Sequence, residues 1–321
     1  MNEFRPGRFW RNAHLQSILP SLWPQRGLNL RARPLRKASR EWLLDCGEGV
    51  RLQAFHAAPA QPRGLAAVLL HGWEGSAEAH YVLSLGQSLF EAGVEVVRLN
   101  LRDHGETHHL NRDIFHSCRL PEVCGAVAAI QSRLPGRALW LIGFSLGGNF
   151  MLRVAASGDA RLGPLAGVVA VSPVLDPATT LDALERGWPL YHRYFVRKWT
   201  RSLRRKQQLW PQHLDFSGLL GFADLRRMTA ALVVRHTDFP TMEDYLEGYA
   251  ITGERLATLA APAVILAAED DPIIPAADLA RLAVHPGLRI VRYPYGGHMG
   301  FMTAPGAPPW LNDFVRAQLS V

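Results

Sequence analysis

The chain is short of cysteine, of lysine and of long apolar runs, and each shortage narrows what it can be. Its three cysteines, Cys46, Cys118 and Cys124, are too few for a disulfide framework, and none stands in a C-x-x-C arrangement. That usage fits a reducing compartment. No stretch approaches the ~20 consecutive apolar residues that span a bilayer. Residues 1–20 scatter polar and charged side chains where a signal peptide would carry an apolar centre. The expectation is a cytoplasmic protein. Lysine occurs only as Lys37, Lys198 and Lys206, so arginine carries nearly all of the net charge of +7. A basic chain can meet an acidic partner, but nucleic-acid binding also needs a recognised module. None is found, and no nucleic-acid partner is expected. Internal repeats are absent too, which excludes solenoids.

What is present begins with enough apolar residues, 48% of 321, to bury a large core. The chain is organised around Leu139-Trp140-Leu141-Ile142-Gly143-Phe144-Ser145-Leu146-Gly147-Gly148-Asn149. An apolar run of strand length meets G-x-S-x-G, and a helical pattern follows, which is the setting a serine nucleophile elbow requires. The chain reverses so sharply at the serine that side chains two residues to either side would collide, so both positions are glycine. Ser145 is left in a strained conformation with its hydroxyl exposed, at the positive end of a helix dipole that favours a developing oxyanion.

Short apolar runs read as strands at 41–45, 51–56, 66–70, 94–99, 139–142, 166–171, 263–267 and 288–293, the first two joined by Gly47-Glu48-Gly49. Helical spacing fills 77–92, 121–134, 146–156, 276–283 and 307–319. Strands alternating with helices, the later strands nearly all apolar, predict an α/β fold with a mostly parallel eight-stranded sheet covered on both faces. One domain is expected over residues 1–321. Residues 1–38 read as an N-terminal arm of little periodicity. The alternation breaks over 176–259, which reads as a mostly helical lid without strand rhythm until 232–234.

A serine hydroxyl is a weak nucleophile and needs a base, itself oriented by an acid. Where a serine elbow is used, the acid and then the histidine follow it along the chain. His298, in Tyr295-Gly296-Gly297-His298-Met299-Gly300 after the last predicted strand, is the base candidate. His192, His213 and His236 fall in the lid, and His285 closes a predicted helix. The acid should follow the preceding strand, where Glu269-Asp270-Asp271-Pro272 stands. Asp271 is preferred because Pro272 makes a rigid turn. Asp270 and, after the sixth strand, Asp176 stay as alternatives. The oxyanion needs two N–H donors. Leu146 offers one, and Trp73 in His71-Gly72-Trp73-Glu74-Gly75-Ser76 offers the other. His71, Gly72 and Phe144 flank these donors and are candidates for lining the substrate, although His71 reads better as a buttress of its loop than as a catalytic group.

Two other stretches invite chemistry. His104, His108, His109 and His116 could suggest zinc, but Gly105 breaks the helix that i,i+4 ligands need and no H-E-x-x-H frame exists, so a packed loop is expected and no metal. In the lid, residues 188–199 interleave aromatic and basic side chains. They read as a solvated amphipathic helix or as a slot with a basic face for peripheral membrane contact.

Taken with Asn12-Ala13-His14-Leu15-Gln16-Ser17, Asp270-Asp271-Pro272 and Gly296-Gly297-His298-Met299-Gly300-Phe301, these motifs resemble the YheT-like branch of the α/β-hydrolases, relatives of the mammalian ABHD one-and-three group. The resemblance implies the α/β-hydrolase fold, carboxylic-ester hydrolysis of a small ester or lipid, no cofactor, and a triad of Ser145, Asp271 and His298. Some members of such a family transfer acyl groups to alcohols and others act on phospholipids or thioesters, so these activities stand as alternatives on the same residues. A non-catalytic lipid-binding relative is a further alternative, expected to have lost triad members. The serine elbow argues against haloalkane and epoxide chemistries, which use a carboxylate nucleophile.

Overall fold

Eight strands hydrogen-bond into one sheet in the computed structural model, which describes residues 3–22, 30–304 and 307–321. They are β1 Ser39–Asp45, β2 Arg51–Ala57, β3 Leu65–Leu70, β4 Glu95–Leu99, β5 Ala138–Phe144, β6 Gly167–Val171, β7 Ala263–Ala268 and β8 Leu288–Tyr293. Their order is β1-β2-β4-β3-β5-β6-β7-β8. The hairpin β1–β2 and the β2–β4 pair are antiparallel, and every pairing from β4 across to β8 is parallel. The helices preceding the serine are α1 Ala13–Leu22, α2 Arg33–Ala38, α3 His80–Glu91 and α4 Leu120–Arg133. Those after it are α5 Leu146–Ala156, α6 Pro177–Arg186, α7 Pro189–Leu209, α8 Leu225–His236, α9 Met242–Gly248 and α10 Trp310–Gln318.

The alternation of strand side chains builds two cores, one on each face of the sheet. Val68, Leu70 and Leu141 meet Val127 of α4 and Phe150 of α5 on one face. Leu69, Ile142 and Phe144 meet Leu85 of α3 and Phe314 of α10 on the other. Between β6 and β7 the chain runs through α6 to α9, and part of this insert has an apolar cluster of its own around Leu203, Phe216 and Met228.

Three local expectations change. The arm holds α1 and α2. Helix α1 starts where Asn12 Oδ1 accepts from His14 N and Leu15 N, each at 3.0 Å, and it is held by docking more than by its own weak pattern. Residues 232–234 are helical, because Leu225, Met228, Leu232 and Val233 of α8 share a buried side. Residues 276–281 form a 3-10 helix after Pro275, not an α-helix. Among the described residues no helix is long and apolar enough to cross a membrane.

Candidate active site

The serine sits at the junction of β5 and α5 with φ 52° and ψ −119°. A Cβ on Gly143 would lie 2.2 Å from Gly147 O, and one on Gly147 would lie 2.4 Å from both Leu70 O and His71 O. No side chain fits either place, which is why the elbow is spelled with glycine. Ser145 N donates to Val171 O at 2.9 Å, tying the elbow to the end of β6.

His298 is carried back to the same edge. Its Nδ1 and Asp271 Oδ2 are 2.9 Å apart, with the two side chains 7% and 2% exposed. Asp271 Oδ1 accepts from Ile273 N and Ile274 N at 2.9 and 3.0 Å, so the turn through Pro272 holds the carboxylate from behind. Met299 N donates to Ser172 Oγ at 3.4 Å, so the histidine loop hangs on the residue after the carbonyl that holds Ser145. Among the described residues no hydrogen bond joins Ser145 Oγ to His298. The rival acids are engaged elsewhere. Asp270 Oδ1 accepts from Gly297 N at 2.8 Å and shapes the loop. Asp176 caps α6 through Ala178 N at 2.9 Å and pairs with Arg281 at 2.6 Å.

On the other side of the serine, the loop 71–76 presses its backbone against the elbow: a Cβ on Gly72 would lie 3.2 Å from Ser145 Cβ. Gly72 N donates to Tyr81 OH at 3.0 Å, and Gly72 O accepts from Gly75 N at 2.9 Å. Among the described residues no hydrogen bond takes the N–H of Trp73 or of Leu146. His71 Nδ1 donates to Gly72 O at 2.8 Å and its Nε2 accepts from Leu101 N at 3.2 Å. Burial, with the His104 ring beside it, holds His71 neutral, well below the usual histidine range. These contacts fit a buttress. His71 and Phe144 are both 0% exposed. The other loop histidines are also packed: His104 Nδ1 donates to Arg102 O at 2.7 Å, and His108 Nε2 lies 2.8 Å from Ser202 Oγ.

Contacts that sequence reasoning missed hold the histidine loop in place. Gln16 is fully buried, and its Nε2 donates to Trp10 O at 2.7 Å and Met302 O at 3.0 Å while its Oε1 accepts from Met302 N at 2.8 Å. Ser17 Oγ accepts from His298 N at 2.8 Å. A Cβ on Gly297 would lie 2.4 Å from Ala13 O and one on Gly300 2.2 Å from Gln16 O, so the glycines let α1 seat against the histidine loop. The signal was Gln16 and Ser17 themselves, which stand in the Asn12–Ser17 motif of the resemblance within an arm of little periodicity. Gln16→Leu strands three polar partners at ~1–3 kcal/mol each. We expect turnover to fall about tenfold to a hundredfold, since misplacing a reacting group by ~1 Å can cost that much. Steady-state kinetics check it; a fully active Gln16→Leu enzyme would mean that the arm does not position His298.

Helix α7 packs on the loop 71–76. The Trp73 ring stacks on Phe195 at 5.2 Å and meets Trp199 edge-on at 5.3 Å, and Lys198 Nζ donates to Glu74 O at 2.8 Å. At the histidine end, Tyr191 OH is 3.0 Å from His14 Nδ1 on α1. Ser145 and His298 are only 8% and 7% exposed.

Burial pushes the Glu74 carboxyl up to about 7, an effect that Lys198 opposes and Asp103 reinforces. The folded state therefore binds this proton more tightly than the unfolded chain. The stabilisation is complete below the ordinary value of 4.5 and is lost as pH rises to about 7. Glu74→Gln should remove that part of the decline in melting temperature. Melting curves over the interval test it, and superimposable profiles for the two proteins would refute it.

Comparison with known proteins places the fold. YheT of Escherichia coli K12, which carries a provisional esterase name, is 26% identical over 98% of this chain and 95% of its own length. The mouse protein named phospholipase ABHD3 is 23% identical over 73% of this chain, a match that spans 58% of the mouse protein. In structure, esterase Pf2001 of Pyrococcus furiosus superposes with a TM-score of 0.58 at 14% identity, covering 98% of both chains. A serine hydrolase of Cycloclasticus zankles reaches 0.59 at 14% identity over 88% of this chain and 98% of its own. At these identities the likeness is one of fold. The family described as the alpha/beta hydrolase fold matches residues 68–305, most of the sheet and the whole stretch from the loop 71–76 to the histidine loop, and the chain belongs to that family.

Proposed function

We propose that the protein is a serine hydrolase that cleaves carboxylic esters through an acyl-enzyme. The observation that carries this reading is the 2.9 Å contact of His298 Nδ1 with Asp271, on a loop tied to the same strand ends as the strained Ser145. With Nδ1–H committed to the carboxylate, Nε2 is the nitrogen free to accept a proton. His298 takes the Ser145 proton as Oγ bonds to the ester carbonyl carbon. The carbonyl electron pair moves onto oxygen, where the N–H groups of Leu146 and Trp73 stabilise it. Collapse expels the alcohol, protonated by His298, and leaves the acyl group on Ser145. Water then attacks by the same route and releases the acid.

The insert acts as the lid in this reading. With Ser145 and His298 nearly covered, an ester reaches them when α7 shifts, and the aromatic faces of Phe195 and Trp199 line its path. The phospholipase name of the mouse relative places ester lipids among the candidate substrates. A fluorophosphonate probe tests the proposal, because it reacts with an activated serine and not with ordinary hydroxyls. Adduct at Ser145 by peptide mapping is expected. A folded protein that takes no adduct there would exclude the mechanism. Product analysis with added alcohol separates hydrolysis from acyl transfer.

A further inference from the structure

Helix α7 has an outer face that the fold leaves unoccupied. Leu190, Arg193, Tyr194, Arg197, Arg201 and Arg204 are all exposed. At ~100° per residue they fall within a sector of about 100°, and they run for about 21 Å along the helix. The opposite side is spent inward, with Tyr191, Leu203 and Lys206 buried and Phe195 and Trp199 against Trp73. At the N-terminal end of the outer face, Leu190 and Tyr194 are 46% and 47% exposed, while Trp188, just before the helix, has its ring against His14 and Tyr191. Among the described residues none of the four arginines forms an ion pair. Glu106, which feels the charge of Arg201, is already bridged to Arg205.

We infer that this face docks on an anionic lipid surface, arginines against the phosphates, and Leu190 and Tyr194 in the boundary between headgroups and acyl chains. Both halves of the face need a partner. A row of unpaired arginines calls for phosphate, and adjoining large apolar side chains call for a layer that excludes water. A nucleic-acid duplex supplies the first and not the second, whereas a bilayer interface supplies both. The orientation has a consequence that rests on the hydrolase reading. Docked in this way, α7 alone separates the lipid plane from Trp73 and Ser145, a distance of about one helix diameter, ~10 Å. An ester lipid leaving the surface would reach the serine by passing beside α7 rather than by diffusing through water.

The test measures binding without turnover. Full-length protein is sedimented with vesicles of phosphatidylcholine alone and of phosphatidylcholine mixed with phosphatidylglycerol, at low and high salt. Binding is expected with phosphatidylglycerol and should weaken with salt. At about fivefold per arginine, the triple variant R193Q/R197Q/R204Q should lose about a hundredfold in partitioning. Leu190→Ser should weaken the salt-resistant remainder. Melting temperature and hydrolysis of a short soluble ester should stay at wild-type values in both variants. Failure of the hydrolase reading would appear separately, as vesicle binding without ester turnover. The inference is overturned if phosphatidylglycerol vesicles capture nothing at low salt, or if the triple variant binds as well as wild type. It is equally overturned if the same arginines are needed for binding duplex DNA while vesicles remain unbound.

Discussion

Replacing Ser145 with alanine is expected to lower turnover of a nitrophenyl ester at least about a thousandfold, with KM little changed. The loss is large because, in the proposed mechanism, Asp271 and His298 act only through the serine oxygen. Without it, the oxyanion donors and binding contacts are all that remain. The substitution should leave the fold intact. Ser145 Oγ holds no partner that would be stranded, and alanine takes on the same φ of 52° that serine already tolerates. Equal melting temperatures for the two proteins would establish that the lost activity is chemical. Undiminished turnover would place the nucleophile elsewhere.

Replacing Lys206 with methionine is expected to cost about 3–5 kcal/mol, because it leaves a buried carboxylate without its cation. Lys206 is 1% exposed, and its Nζ donates to Asp103 Oδ1 at 2.7 Å and to His108 O at 3.2 Å. Burial pushes the Asp103 carboxyl up and the Lys206 ammonium down, and each opposes the other's shift. This pair joins the C-terminal half of α7 to the loop after β4, next to the Arg205–Glu106 bridge. Adding Asp103→Leu to Lys206→Met should restore part of the loss, since the uncompensated charge then disappears. Recovery stops short of wild type, because Asp103 Oδ2 also accepts from Phe115 N at 2.8 Å. Urea midpoints measure all three proteins. A cost below ~1 kcal/mol for the single change would show that the ammonium is solvated and the insert is anchored by other contacts.

Local chemistry was legible in the sequence wherever the constraint lies within a few residues. The serine elbow is such a case: Gly143 and Gly147 are demanded by contacts at 2.2 and 2.4 Å, one of them within the turn itself. The strands announced themselves by apolar runs, and their alternation with helices was enough to expect a parallel sheet. The arm was not legible, since α1 draws its support from Met302 and His298, more than 280 positions away. Residues 232–234 looked like a strand because three apolar residues in a row carry no period, and only the packing of α8 reveals one.

The sequence by itself determined the sheet and the strained serine and offered the candidates for activating it, because backbone sterics and hydrophobic period are written in neighbouring positions. Folding in three dimensions decided which of three acids faces His298, why Asp270 shapes a loop and Asp176 caps a helix, and how α7 came to pack on Trp73 with its arginines outward. Those outcomes depend on distances between segments far apart along the chain. Hydrogen bonds and buried charges act over a few ångströms, whatever the number of residues between their partners.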